Sequence, residues 1–207
     1  MNMSIKKKLI IFALLVFGVF LVINIIWFAF VWRKYEGYKE KLGNEMVVDD
    51  LEELGKRYTL SENDFDVSIK TPTYPQLSGG GFLRVNKVGD VVGYDGETGI
   101  PFNKDGEYID IENTKIKPNM IFYIWPKLFG GYKFGIQYDC FEENNIEYGG
   151  FKSYQVDLDE ELKPVIIEDA DEEYTLKLQK LYNENYDDMM ELIKYANDLF
   201  DLELNIN

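Results

Sequence analysis

The chain has 207 residues, a formal net charge of −15 and an aromatic content of 15%. That much aromatic side chain excludes a disordered acidic tail, and a charge this negative excludes nucleic-acid binding, because neutralising phosphates takes Lys and Arg. With one cysteine and no histidine, an internal disulfide, Ser-His-Asp and Cys-His catalysis, histidine bases and imidazole metal sites are all excluded.

Residues 1–8 form a basic tail ending in Lys6, Lys7 and Lys8. Residues 9–32 follow as an uncharged stretch of mostly Leu, Ile, Val and Phe, closed by Arg33 and Lys34. A helix of that length crosses a hydrocarbon core of roughly 30 Å with some tilt. Asn24 is its one strongly polar side chain. The run is longer than a secretory signal core, and it exits through Trp27-Phe28-Ala29-Phe30-Val31-Trp32, which lacks small residues for cleavage. The reading is an uncleaved single-pass anchor with Trp27 and Trp32 at the far interface. Every acidic side chain lies beyond Lys34. The lysine triplet and this polyacidic body place the N terminus in the cytoplasm and the C-terminal domain outside it.

Residues 33–78 read as a helical stalk and linker. The anchor helix continues through Tyr35–Lys41, and a short helix is predicted over Glu45–Tyr58. Asn44 would cap it, with Val47, Val48, Leu51, Leu54 and Tyr58 at helical spacing. Pro72, Pro75 and Gly79-Gly80-Gly81 then mark an irregular loop.

Residues 79–207 read as one acidic α+β domain. Turn signals at Gly89-Asp90, Asp95-Gly96, Asp105-Gly106, Pro118-Asn119, Gly130-Gly131 and Gly149-Gly150 punctuate an antiparallel β-meander over 82–167. The predicted strands are 82–88, 91–94, 107–112, 119–125, 132–140, 151–158 and 164–167. Alternation assigns Tyr132, Phe134, Ile136, Tyr138 and Cys140 to the buried face, with Ile109, Ile111, Tyr154, Val156 and Leu158. Strand 119–125 is apolar on both sides, with Met120, Phe122 and Ile124 opposing Ile121, Tyr123 and Trp125. Such a strand is central and covered twice, or it opens an aromatic patch to a partner.

The last segment, 169–204, carries Leu178, Leu181, Tyr182, Met189, Leu192, Ile193, Ala196, Leu199 and Phe200 as a helical stripe, divided near Asn183-Glu184-Asn185. It is expected to pack on the sheet. The fold class is thus α+β: an N-terminal transmembrane helix, then a mostly antiparallel β-meander packed against C-terminal helices.

Catalytic and metal chemistry find little support. Cys140 lacks a histidine partner and falls on the core face. Asp169, Asp171, Glu172 and Glu173 suit a helix N terminus, with Asp169 and Glu172 at capping-box spacing. The turns Gly93-Tyr94-Asp95-Gly96 and Asn103-Lys104-Asp105-Gly106 lack the calcium-loop pattern, and Gly79-Gly80-Gly81 lacks a following Gly-Lys-Ser/Thr. No metal and no cofactor are expected, and no enzymatic activity. The candidate binding surface is the polar sheet face of Tyr108, Asp110, Gln137, Asp139, Gln155 and Asp157, with Tyr123 and Trp125 as aromatic anchors.

Three stretches resemble the TipC-type immunity proteins of Gram-positive bacteria. These are Tyr123-Ile124-Trp125-Pro126-Lys127-Leu128-Phe129-Gly130-Gly131-Tyr132-Lys133-Phe134-Gly135, Tyr154-Gln155-Val156-Asp157-Leu158-Asp159, and Leu192-Ile193-Lys194-Tyr195-Ala196-Asn197-Asp198-Leu199-Phe200. They are a small part of the chain and include no diagnostic motif; the overall layout contributes as much. The resemblance implies an outward-facing, non-catalytic membrane protein that binds and neutralises a toxin delivered between cells by type VII secretion. It implies a secreted protein toxin as partner, besides membrane lipid around residues 9–32. The alternative is an extracytoplasmic accessory or sensor subunit of a membrane complex.

Overall fold

A computed structural model describes residues 5–42, 47–50, 55–62, 64–70, 81–111, 113–127, 131–142, 150–166 and 171–206. Helix α1 spans Ile5–Lys41 and is long and apolar enough to cross a membrane. Its large apolar side chains from Leu9 to Ile26 are exposed around the whole circumference. Asn24 satisfies its amide locally, Nδ2 donating to Phe20 O at 2.8 Å.

The end of α1 behaves differently. Tyr35, Tyr38 and Leu42 are 2%, 6% and 4% exposed and belong to the domain core. The Tyr35 hydroxyl donates to Gly81 O at 2.9 Å, the Tyr38 and Tyr132 hydroxyls share a hydrogen bond at 2.7 Å, and the Tyr38 ring meets Phe200 edge-on at 5.3 Å. Lys41 pairs with Asp201 just past the last helix. The predicted stalk is therefore corrected: residues 35–42 are part of the folded domain.

The predicted helix over 45–58 is also corrected. Strands β1 (Val47–Asp50), β2 (Gly55–Glu62) and β3 (Phe65–Lys70) occupy this region, so the sheet begins well before residue 82. β-Branched Val47 and Val48 favour extended backbone, and pairing Tyr58 with Ile69 and Leu60 with Val67 brings Tyr58 and Leu60 to the core. Long-range pairing overrides the local helical spacing. Residues 45, 46 and 51–54 lie outside the described residues, as do 71–80 of the predicted loop.

The main sheet continues with β4 (Phe82–Lys87), β7 (Asn119–Pro126), β8 (Tyr132–Phe141) and β9 (Phe151–Leu158), in the order β1-β2-β3-β4-β7-β8-β9 and antiparallel throughout. It is one meander interrupted by a side hairpin, β5 (Gly93–Tyr94) with β6 (Pro101–Phe102). The predicted strand 107–112 reduces to one bridge, Tyr108 with Phe102. Its neighbours turn away, with the Asn103 side chain accepting from the Asp105 and Glu107 amides. The predicted strand 164–167 likewise reduces to a bridge at Pro164, which has no N–H to extend a ladder.

The core sits on one face. Its rows follow from register: Ile69, Leu83, Ile124, Phe134 and Leu158, then Val67, Val85, Phe122, Ile136 and Val156. Helices α2 (Glu172–Glu184) and α3 (Tyr186–Phe200) cover it through Leu178, Leu181, Met189, Leu192, Ile193, Ala196 and Phe200. The break falls at buried Asn185, whose Nδ2 donates to Leu181 O at 2.8 Å. The N-cap of α2 is Asp171, accepting from Tyr174 N; Asp169 lies outside the described residues.

Asp188, in the first turn of α3, ties that helix to the sheet. It accepts from Lys87 Nζ at 2.6 Å and Lys117 Nζ at 2.8 Å. Burial raises its carboxyl, but hydrogen bonds and charge from Lys117 and Lys87 outweigh this and hold it below the ordinary carboxylate range. A carboxyl lowered on folding contributes stability that is complete above its unfolded pKa, about 4, and is lost as pH falls through the folded value. Asp188→Asn is expected to lower stability at pH 7 by about 1–3 kcal/mol and to flatten its decline below pH 4. Urea midpoints between pH 2.5 and 7 test this; parallel curves for both proteins would contradict it.

Candidate functional site

Six of the eight predicted site residues come together on the face opposite the core. Tyr123 is in register with Gly135 and Asp157, Ile121 with Gln137 and Gln155, and Asn119 with Asp139 and Ser153. β7, β8 and β9 thus present Tyr123, Trp125, Gln137, Asp139, Gln155 and Asp157 as one contiguous patch. Tyr108 and Asp110 do not join it. Tyr108 is 63% exposed in the side hairpin region and donates to Asp95 Oδ2 at 3.0 Å, and Asp110 accepts from Asn113 Nδ2 at 2.8 Å. The alternation of 107–112 resembles a strand of the main sheet, but Glu107 O accepts from Asn103 N in the local turn and Ile109 N donates to Pro101 O of the side hairpin.

Two aromatic rings dominate the patch. Tyr123 and Trp125 lie one pleat apart on β7 and stack with centroids 5.3 Å apart and planes 3° from parallel. Room for the indole comes from Gly135, directly across from Tyr123: a Cβ there would stand 3.1 Å from Trp125 Cζ3 and 3.2 Å from Cη2. The indole therefore lies along the sheet with both residues half-buried. The two-sided apolar pattern of this strand is thereby explained. Ile121 is buried, whereas the aromatic pair covers its own strand and its neighbour while keeping one surface open.

Polar groups frame the rings. Lys133 Nζ sits 5.6 Å from the Trp125 centroid and 2.9 Å from Asp157 Oδ2. On the other side the Tyr123 hydroxyl donates to Gln137 Oε1 at 3.2 Å, and Gln137 Nε2 and Ser153 Oγ donate to Asp139 Oδ1 at 2.8 and 2.6 Å. This chain holds the amide and carboxylate in place, so little side-chain entropy remains to be lost on contact. Lys133, Gly135 and Ser153 are the members missing from the sequence-derived set; the gap opposite Trp125 was visible only once β7–β8 register was known.

The face changes character toward β3. Ser68 and Lys70 are buried, and Arg84 stacks over Phe82 at 4.9 Å. Arg84 Nε and Asn86 Oδ1 are buried and make no hydrogen bond among the described residues. The β9 edge is closed to further strands: the Tyr174 hydroxyl bonds Gln155 N and O, and Val165 N donates to Asp157 O.

Elsewhere, a cavity of about 480 Å³ lies between the side hairpin and α3. Its charges are already used internally, Lys87 and Lys117 by Asp188 and Lys104 by Asp64. Among the described residues no cluster of metal-competent side chains occurs. Burial pushes the Cys140 thiol up to about 11. At pH 8 only roughly a thousandth of such a thiol is ionised, so alkylation of the native protein is expected to run about a hundredfold slower than for an unperturbed cysteine. Iodoacetamide labelling with and without urea measures this; equal rates would overturn it.

No protein-family model, curated protein or solved structure matches this chain.

Proposed function

We propose that this protein is a membrane-anchored, extracytoplasmic immunity protein that binds a secreted antibacterial toxin and neutralises it by occlusion, with no chemistry of its own. The Tyr123–Trp125 stack, held open on a polar sheet face and flanked by Lys133, Asp139 and Asp157, carries the reading. Flat, preorganised aromatics ringed by satisfied polar groups are what a protein-docking patch requires. The acidic body would steer a basic partner. The likeness to TipC-type immunity proteins supplies the partner class, a toxin delivered by type VII secretion, and Lys6, Lys7 and Lys8 in the first turns of α1 support a cytoplasmic N terminus.

The test is protection. Expressed in a sensitive cell, the chain should permit growth when that cell is challenged with toxins secreted by the producing strain. If protection fails against all of them, the reading is wrong. The burial of Tyr35, Tyr38 and Leu42 favours one second reading, an accessory or sensor subunit, since a helix built into the core transmits its displacement to the sheet. Replacing residues 9–26 with an unrelated apolar helix separates the two: an occluding protein keeps its activity, and a sensor loses it.

A further inference from the structure

Three long stretches of this chain contain no carboxylate, residues 1–35, 67–89 and 113–138, in a protein with 37 acidic side chains. The fold joins the first and the third. Lys34 Nζ lies 5.0 Å from the Tyr132 ring centroid, and Tyr38 shares its hydroxyl hydrogen bond with the same residue. Lys127 N donates to Gly131 O at 3.0 Å, which brings Lys127 into the turn beside Tyr132. Lys133 follows immediately.

Helix length then decides where this corner sits. The part of α1 exposed on all sides, Leu9 to Ile26, rises about 27 Å at roughly 1.5 Å per residue, against a hydrocarbon core of about 30 Å, and beyond it Phe30 and Trp32 stay exposed. Trp27, the residue after Ile26, already packs against the domain core. No helix is left over as a spacer. Phe28 stacks on Trp32 at 5.8 Å in the same turns, and aromatic rings of this kind settle at the membrane–water interface.

We propose that the basic corner around Tyr132, formed by Lys34, Lys127 and Lys133 with Arg33 one residue earlier on α1, rests on the phosphate layer of the bilayer that α1 crosses. The domain is thereby held against lipid in one orientation. Lys133 shares its charge with Asp157, so Arg33, Lys34 and Lys127 are the principal phosphate partners. Trp125, in register with Lys133, stands at the lipid end of the docking patch, and Asp139 and Ser153 stand farther along the strands. A partner working on the membrane surface would meet the indole first. The inference rests on α1 being a membrane span.

Site-directed nitroxide labelling tests both and tells them apart. The full chain carrying Cys140→Ser is reconstituted in vesicles of phosphatidylcholine and phosphatidylglycerol, with one added cysteine at Phe17, Lys127, Lys133 or Lys104. The ratio of collisions with oxygen to collisions with a water-soluble nickel chelate is then measured. The ratio should be highest at Phe17 and several-fold higher at Lys127 and Lys133 than at Lys104, which lies beside Asp64 in a different part of the fold. If Lys127 and Lys133 both match Lys104 while Phe17 reads as lipid, the seating is wrong and the anchor stands. If Phe17 itself reads as water, the anchor fails too.

Discussion

A soluble fragment beginning at Gly43 should fail to unfold cooperatively, whereas one beginning at Arg33 should fold and melt as a unit. The difference is ten residues at the end of α1, and they carry Tyr35, Tyr38 and Leu42, all buried against the sheet and α3. Truncating one buried Leu or aromatic costs about 2–5 kcal/mol, and net stabilities of domains are about 5–15 kcal/mol. Losing three such side chains together removes most or all of the margin. It also exposes Phe200 and Tyr132, which Tyr38 covers.

Point variants in the full chain refine this. Tyr38→Ala should cost about 3–5 kcal/mol. Tyr38→Phe, which keeps the ring and loses only the hydroxyl bond to Tyr132, should cost about 1 kcal/mol. Urea denaturation followed by near-ultraviolet circular dichroism is the measurement. Were the two fragments to melt alike, α1 would be a detachable tether and the core described above would end at the sheet.

The second large effect is expected at Trp125. Central aromatic anchors contribute about 2–4 kcal/mol to a protein interface, equivalent to a loss of about 30- to 1,000-fold in affinity on truncation to alanine. Trp125→Ala should therefore abolish protection in the challenged cell while the protein still reaches the membrane. Gly135→Val probes the same point from the opposite strand. Its side chain would occupy the space under the indole, lifting Trp125 off the sheet, and the loss of binding should follow without any change to Trp125 itself. The expected stability cost is about 1–3 kcal/mol, checked by thermal melting. Lys104→Ala, remote from the patch, is the control. Equal binding by wild type and Trp125→Ala in a pull-down with the cognate toxin would move the interface elsewhere.

Much of the fold was legible in the residues because period and punctuation agree there. β4, β7, β8 and β9 fall nearly where alternation and Gly-containing turns place them, and the C-terminal stripe divides at Asn185 as its polar break suggests. The core face of those strands is the predicted one. β3 lies within the expected stalk and linker, although Phe65, Val67 and Ile69 alternate with Asp66, Ser68 and Lys70 as a strand does. β1 and β2 were not legible. Val47, Val48, Leu51, Leu54 and Tyr58 fit a helix as well as they fit strands, and nothing local breaks the tie.

The candidate site divides the same way. Its six convergent residues share the parity of three strands, so face membership could be read from alternation alone. Tyr108 and Asp110 have the right parity on a segment that bridges to the side hairpin and does not join the main sheet. Parity says which side a residue points to within a strand; it does not say that the strand pairs.

What the chain determines by itself is local or compositional: an exposed apolar helix of membrane length, a polyacidic body, no imidazole, and amphipathic strands and helices with a stated inner face. The tertiary structure alone decided the rest. It made the end of α1 a core element, admitted β1–β3 to the sheet, and laid Trp125 over Gly135. Each of these depends on groups far apart in sequence meeting at van der Waals distance. That free energy belongs to pairs of segments, and neither segment carries it alone.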